Sequence, residues 1–131
     1  MIALSNHTRI FVCAAPTDLR KGFDGLSGLV AECFPVELLS GHLFLFFNRS
    51  RDRIKVLYWD HDGLALWYKR LEAGTYQLPN AWSLNDASLN DASSNNTPTN
   101  NTLEIDHTQL ALLLAGIDLR SVQRRKRYRV A

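Results

Sequence analysis

The chain has 131 residues, of which 46% are hydrophobic and 21% are charged, a composition that predicts one compact globular domain. Its 15 basic and 13 acidic side chains give a net charge of +2 but are unevenly distributed. Residues 1–79 are near neutral, residues 80–119 hold five acidic and no basic side chains, and residues 120–131 hold six basic and no acidic ones. This cationic end favours a polyanionic partner, most often nucleic acid.

The same figures argue against several other classes of protein. No apolar run approaches the roughly 18–20 residues that cross a bilayer, and residues 1–9 lack the pattern of a secretory signal. We therefore expect a cytoplasmic protein without a membrane partner. Cys13 and Cys33 are 20 residues apart and form no CxxC motif, which predicts reduced core thiols and neither a disulfide framework nor a zinc site.

The first half of the chain predicts a strand, a helix and then a central strand. Arg9–Cys13 is a β-rich run that Pro16 ends. Apolar residues at helical spacing predict a helix at about 20–33, with Thr17 or Asp18 as its cap. His42–Phe47 is uniformly apolar, which predicts a strand in the middle of a sheet.

The next segment predicts a hairpin. Arg53–Trp59 and Leu64–Leu71 are strand-like, and the Asp60–Gly63 sequence between them is typical of a tight turn because Asp-Gly tolerates positive φ values. Tyr76–Leu78 is a further short run that ends at Pro79. These segments predict an antiparallel meander of strands with one helix packed on it.

Residues 80–102 differ in kind, because they contain a tandem SLNDA repeat followed by the polar tract SSNNTPTNN. Such a composition predicts a disordered insert. Beyond it, Asp106 is a good N-cap for a helix with Leu110, Leu113 and Leu114 on its apolar face. The predicted fold class is α+β, organised as an α+β core (1–79), the insert (80–102), a C-terminal helix docking on the core (103–119) and a basic tail (120–131).

Basic side chains give the strongest functional signal. Arg49, Arg51, Arg53 and Lys55 alternate, so an extended segment would project all four from one face of the sheet. The alternative is a solvated face balanced by nearby carboxylates. Arg20 and Lys21, at the start of the predicted helix, suggest an anion site or simply surface charges on a capped helix. The candidate DNA-binding residues are Arg20, Lys21, Arg49, Arg51, Arg53, Lys55, Lys69, Arg70, Arg124, Arg125, Lys126, Arg127 and Arg129.

Catalytic chemistry has little support in the sequence. Asp60 and Asp62 invite comparison with the paired carboxylates of a Mg²⁺-dependent nuclease, but their spacing fits a hairpin turn and no third carboxylate lies nearby on the same element. No nucleophile motif, nucleotide-binding loop or histidine ligand spacing occurs. We therefore predict a protein that is not an enzyme, with no catalytic residues, cofactor or metal.

Four segments carry a family resemblance: Thr17–Leu26, Ser40–Phe46, Arg51–Gly74 and Gln109–Asp118. Together they resemble the Orf2-like (TnpB-type) accessory protein of the sixty-sixth insertion-sequence family of bacterial transposons, which is unrelated to the RNA-guided nuclease of the same name. The resemblance covers about residues 8–79 and 103–120. It implies an accessory role beside a separate transposase, without established catalytic residues. The polar insert and the RRKRYR tail depart from the family pattern, so the tail says nothing about the family as a whole.

The sequence leaves two alternative functions, and both belong to transposition. The first is direct binding of DNA at the transposon ends. The second is that of a protein-interaction module that contacts the transposase or a second copy of itself. The module hypothesis uses exposed aromatic side chains drawn from Trp59, Trp67, Tyr68 and Tyr76.

Overall fold

A computed structural model describes residues 5–78 and 102–116 of the protein. The helices and strands, in chain order, are β1 Ile10–Cys13, α1 Phe23–Cys33, a 3₁₀ turn Leu38–Ser40, β2 Leu43–Phe47, β3 Arg53–Asp60, β4 Gly63–Arg70, β5 Thr102–Ile105 and α2 His107–Leu114. This content confirms the α+β class. The predictions for the polar insert fall almost entirely outside the described residues, and those for the basic tail fall wholly outside them.

One five-stranded sheet organises the fold, in the order β4-β3-β2-β1-β5. β2, β3 and β4 form the predicted antiparallel meander. β1, however, runs parallel to β2, with Ile10 opposite Leu43, because the connection between these strands contains α1 and crosses over the sheet. β5 then pairs antiparallel with β1. The sheet is therefore mixed at β1, which the prediction of a simple meander did not include.

Both faces of the sheet are covered, which explains why β2 is apolar at every position. Phe44 and Phe46 pack under α1, where Phe34 meets both rings edge-on at centroid distances of 5.1 and 6.0 Å. Leu43, Leu45 and Phe47 point to the opposite face and join the cluster that contains Leu110 and Leu113 of α2. A central strand between two helical layers has no polar face. Leu110 and Leu113 thus place α2 against the face of the sheet opposite α1.

The second helix begins as the sequence predicts. The Asp106 carboxylate accepts a hydrogen bond from the Gln109 backbone N–H at 2.7 Å, and the Gln109 side chain accepts one from the Asp106 N–H at 2.9 Å, a reciprocal capping box. Gly116, in a left-handed conformation at φ 82°, follows the end of the helix. The strand β5 directly before it was not predicted.

Other local predictions need correction. α1 begins at Phe23, and its N-cap is Gly22 without a side-chain hydrogen bond, so neither Thr17 nor Asp18 caps it. The Asp18 carboxylate instead accepts from the Arg20 backbone and guanidinium groups. Tyr76–Leu78 forms no strand, although Tyr76 and Leu78 are buried. Both cysteines are free, as predicted, but only Cys13 is buried and Cys33 is half-buried.

The turn between β3 and β4 is the predicted hairpin. Asp60 lies opposite Gly63, and the two residues between them form the loop. The positive φ of 54° falls on His61, whereas Gly63 lies in the strand without a left-handed backbone. The glycine is therefore not the residue that adopts the unusual conformation.

None of the helices in the described ranges is long and apolar enough to cross a bilayer.

Candidate functional site

The predicted line of four basic side chains is wrong in its first half. Arg49 and Arg51 precede β3 and lie in a turn, where Arg51 has a left-handed φ of 57°. The Asn48 side chain holds this turn closed: its Oδ1 accepts from the Arg53 N–H at 3.0 Å and its Nδ2 donates to Asp52 at 2.6 Å. Only Arg53 and Lys55 are therefore aligned on an extended strand.

The register of the hairpin adds two side chains to that face. Lys55 lies opposite Tyr68 and Arg53 lies opposite Arg70, and residues directly opposite in an antiparallel pair share a face. Lys69 lies opposite Ile54, whose side chain packs on the other face, so Lys69 points away from this group. Of the predicted β4 cations, only Arg70 can join Arg53 and Lys55.

Lys55 is the unusual member, because only 8% of it is exposed. Its ammonium group donates to the backbone carbonyl of Lys21 at 2.9 Å and lies 4.8 Å from the centroid of the Tyr68 ring. The carbonyl contact attaches the segment that precedes α1 to the sheet. Lys21 thus takes part through its backbone, while its side chain is exposed.

No carboxylate pairs with Lys55 in the described part of the chain. The ion pairs found there are Arg9–Glu104, Arg20–Asp18 and Arg70–Glu72. A buried charge is costly unless hydrogen bonds or an opposite charge compensate it. Within the described residues, Lys55 has one carbonyl and one aromatic ring as compensation.

Lys55 lies in the wall of a shallow pocket of about 450 Å³ between the segment before α1 and the β3–β4 hairpin. We call this the cationic pocket; its walls are Thr17, Asp18, Leu19, Arg20, Asn48, Arg53, Lys55 and Tyr68. Three cations and one carboxylate give these walls a formal charge of +2. Tyr68 is 48% exposed at the rim, and its hydroxyl accepts from Arg53 at 3.3 Å.

Asp18 stays anionic in this setting. Hydrogen bonds from the Arg20 side chain, at 2.8 to 3.1 Å, and from the Arg20 backbone lower the pKa of the Asp18 carboxyl to about 2. The Arg20 side chain in the pocket wall is therefore already paired with the Asp18 carboxylate. Arg53 and Lys55 are the cations of the pocket without a carboxylate partner among residues 5–78 and 102–116.

A second depression lies near the other end of β3. Its walls include Leu39, Tyr58, Trp59, Asp60 and His61, and its volume is about 480 Å³. Leu39 is 64% exposed there, while Trp59 is half-buried. Of the aromatic residues predicted as exposed, Trp67 is also half-buried and Tyr76 is only 2% exposed, so the prediction for Tyr76 is wrong.

The Asp60 and Asp62 pair forms part of the hairpin turn, where the Asp62 N–H donates to the Asp60 carbonyl. Among residues 5–78 and 102–116, no group of three or more His, Cys, Asp and Glu side chains is placed to hold a metal ion.

The sequence did not predict the uncharged side chains that line the cationic pocket, such as Thr17, Asn48 and Tyr68. Thr17 and Asn48 lie 31 positions apart, and they meet because the Thr17 N–H donates to the Phe47 carbonyl at 2.8 Å. Tyr68 could have been found from the sequence, since hairpin pairing around Asp60–Gly63 places it opposite Lys55.

The fold and this site define a small α+β protein whose described residues form a sheet covered on both faces, with a cation-rich pocket on its β-hairpin. The chain belongs to the family described as IS66 Orf2 like protein, whose model matches residues 8–124. This match confirms the resemblance found in the sequence and associates the chain with DNA transposition in an accessory role.

Two curated relatives come from Sinorhizobium fredii (strain NBRC 101917 / NGR234). The chain is 30% identical to Uncharacterized protein y4jC over 125 residues, which cover 95% of this chain and 92% of the relative. It is 31% identical to Uncharacterized protein y4hO over 123 residues, with coverage of 94% and 92%. No solved structure matches the chain.

Proposed function

We propose that the protein is a noncatalytic accessory factor of transposition that binds DNA directly at the transposon ends. The observation that carries this proposal is the cationic pocket, where Lys55 is buried without a carboxylate partner in the described residues and Arg53 is adjacent to it. Family membership supports the setting, since the substrate of transposition is DNA.

The cationic surface proposed to contact DNA consists of the pocket and the exposed cations beside it. Arg70 lies opposite Arg53 on the same face of the sheet, and Lys21 lies beside Arg20. Arginine and lysine at such a surface neutralise phosphates and release counterions, so binding weakens as salt rises. Tyr68 provides an exposed ring on which a base can stack.

The basic tail is proposed as a second contact with DNA. Arg124, Arg125, Lys126, Arg127 and Arg129 lie outside the described residues, and their proposed role rests on the charge of the sequence alone. Arg49 and Arg51 remain candidates for peripheral contacts outside the pocket, whereas Lys69 lies on the opposite face of the hairpin and is not part of the proposed surface.

A salt-titrated mobility shift with the element's terminal repeats tests the proposal. The test variant replaces Arg20, Arg53 and Arg70 with Gln. Arg9→Gln is the control, because Arg9 is an exposed, ion-paired arginine that lies directly before β1. If each of the three arginines neutralises one phosphate, the slope of log K against log salt falls by about 0.9 for each arginine replaced. A chain without residues 120–131 separates the tail from the core. Equal binding by the triple variant, Arg9→Gln and the wild type would refute the proposed surface.

The second candidate function is a protein-interaction module that acts through the transposase. The depression lined by Leu39 and Trp59 favours it, because it groups a leucine that is 64% exposed with a half-buried tryptophan, and grouped apolar side chains provide contact area for a protein partner. Copurification with the transposase from nuclease-treated extract, abolished in Leu39→Asp but kept in the triple arginine variant, would support this function over DNA binding. The same preparation, measured by light scattering, tests whether the protein forms homo-oligomers.

A further inference from the structure

The cationic pocket differs from a patch of surface charge, because its central cation is buried and held in a fixed position. Its central cation, Lys55, is more than nine-tenths buried, and strand pairing on both sides fixes its backbone. An ammonium group has three N–H donors. One Lys55 donor is used on the Lys21 carbonyl, and the Tyr68 ring lies on another side. An acceptor in the pocket would complete this arrangement.

Neighbouring groups fix the shape of the pocket. The Asn48 side chain is held in the turn, because its oxygen accepts from the Arg53 backbone N–H and its nitrogen donates to the Asp52 carboxylate. The Arg53 guanidinium contacts the Tyr68 hydroxyl through one nitrogen, which orients its planar group of donors at the rim. A planar guanidinium beside a point-like ammonium suits a tetrahedral anion with several oxygens.

We propose that the cationic pocket binds a phosphate group of nucleic acid, held by Lys55 at its base and Arg53 at its rim. The formal charge of +2 on the walls is opposite in sign to that of a phosphate, which carries about −1 as an internal diester and about −2 at a chain end, and a volume of about 450 Å³ leaves room for the attached sugar beside the Tyr68 ring. This inference rests on the proposed function for the identity of the ligand, whereas the phosphate chemistry follows from the pocket itself. The group is either an internal phosphodiester or a terminal phosphate at a DNA end.

The experiment follows side-chain NMR signals of Lys55 and Arg53 in the full chain. The probes are inorganic phosphate, a short duplex with 5′-phosphates and the same duplex with 5′-hydroxyls, each at constant ionic strength with chloride as the reference anion. We expect a saturable shift of the Lys55 signal with phosphate that chloride does not produce. Stronger binding of the phosphorylated duplex assigns the pocket to chain ends, and equal binding assigns it to the backbone.

Lys55→Met removes the charge and keeps a long side chain in the buried position, while Lys69→Met makes the same change on the opposite face of the hairpin. We expect Lys55→Met to weaken phosphate binding at least tenfold and Lys69→Met to leave it unchanged. Dispersed amide spectra establish that each variant is folded, and Arg53→Gln, at a partly exposed position, gives an independent test of the same pocket.

The outcomes separate this inference from the proposed function. If DNA binds but Lys55→Met and Lys69→Met bind it equally, and phosphate does not shift Lys55 selectively, the pocket is not a phosphate site although DNA binding stands. If phosphate binds at Lys55 but neither duplex binds at low salt, the pocket is a phosphate site whose ligand is not DNA, and the proposed DNA-binding function is refuted.

Discussion

Leu113→Ala tests whether α2 closes the second face of the sheet. Leu113 is 1% exposed and packs in the cluster that contains Ile10, Val12 and Phe47. The change removes the equivalent of three methylene groups, and a loss of about 0.8 kcal/mol for each gives a transfer cost of about 2.4 kcal/mol. A cavity left between helix and sheet adds to this cost, and buried Leu→Ala changes span about 2–5 kcal/mol. We expect a loss of about 3 kcal/mol.

Urea unfolding followed by circular dichroism measures this loss, with Leu39→Ala as the matched control. Leu39 is the same residue type but 64% exposed, so the same truncation should change the unfolding free energy by less than about 0.5 kcal/mol. The midpoint should fall while the urea slope stays the same. If Leu113→Ala and Leu39→Ala are equally stable, α2 does not pack on the sheet in solution and the two-sided core is wrong.

Three further predictions concern local interactions. Asp106→Ala removes the cap of α2 and should lower the unfolding free energy by about 1 kcal/mol, whereas the exposed Thr108→Ala should be nearly neutral; equal curves for both variants would contradict the capping box. In an NMR titration, Arg20→Gln should raise the pKa of Asp18 from about 2 toward its ordinary value of 3.8. Because folding lowers this pKa, the stabilisation it provides is complete above about pH 4 and is lost as the pH falls toward 2. An unchanged pKa in the variant would remove Arg20 as the cause. Tyr76→Phe should keep or slightly raise stability, since the buried Tyr76 hydroxyl has no hydrogen-bond partner in the described ranges, and a loss above about 1 kcal/mol would show that it has one.

The contrast between Lys55 and Lys69 shows that counting charges in the sequence does not distinguish a pocket lysine from an exposed one. Both are lysines of one hairpin, and the sequence proposed both as contacts for DNA. Strand pairing buries the first in a pocket beside Tyr68 and leaves the second exposed on the other face. The two substitutions therefore change net charge equally but differ in their expected effect on phosphate binding.

Local patterns were sufficient for most helices and strands. The uniform hydrophobicity of His42–Phe47 predicted a central strand, and Asp106 followed by an apolar helical face predicted the start of α2. These features depend on neighbours within a few positions along the chain, because capping and side-chain periodicity are local. β5 escaped prediction because Thr102–Ile105 is a short strand whose pairing partner, β1, lies about 90 residues earlier in the chain.

The sequence by itself determined the α+β class, the family and the uneven charge that suggests a polyanionic partner. Only the tertiary structure decided which cations act together. A turn at Asn48–Asp52 removes Arg49 and Arg51 from the line, and the β3–β4 register brings Tyr68 to Lys55. The physical reason is that a side chain's face depends on the backbone conformation and pairing register at that residue, and a single turn residue with positive φ ends the alternation on which the linear pattern relied.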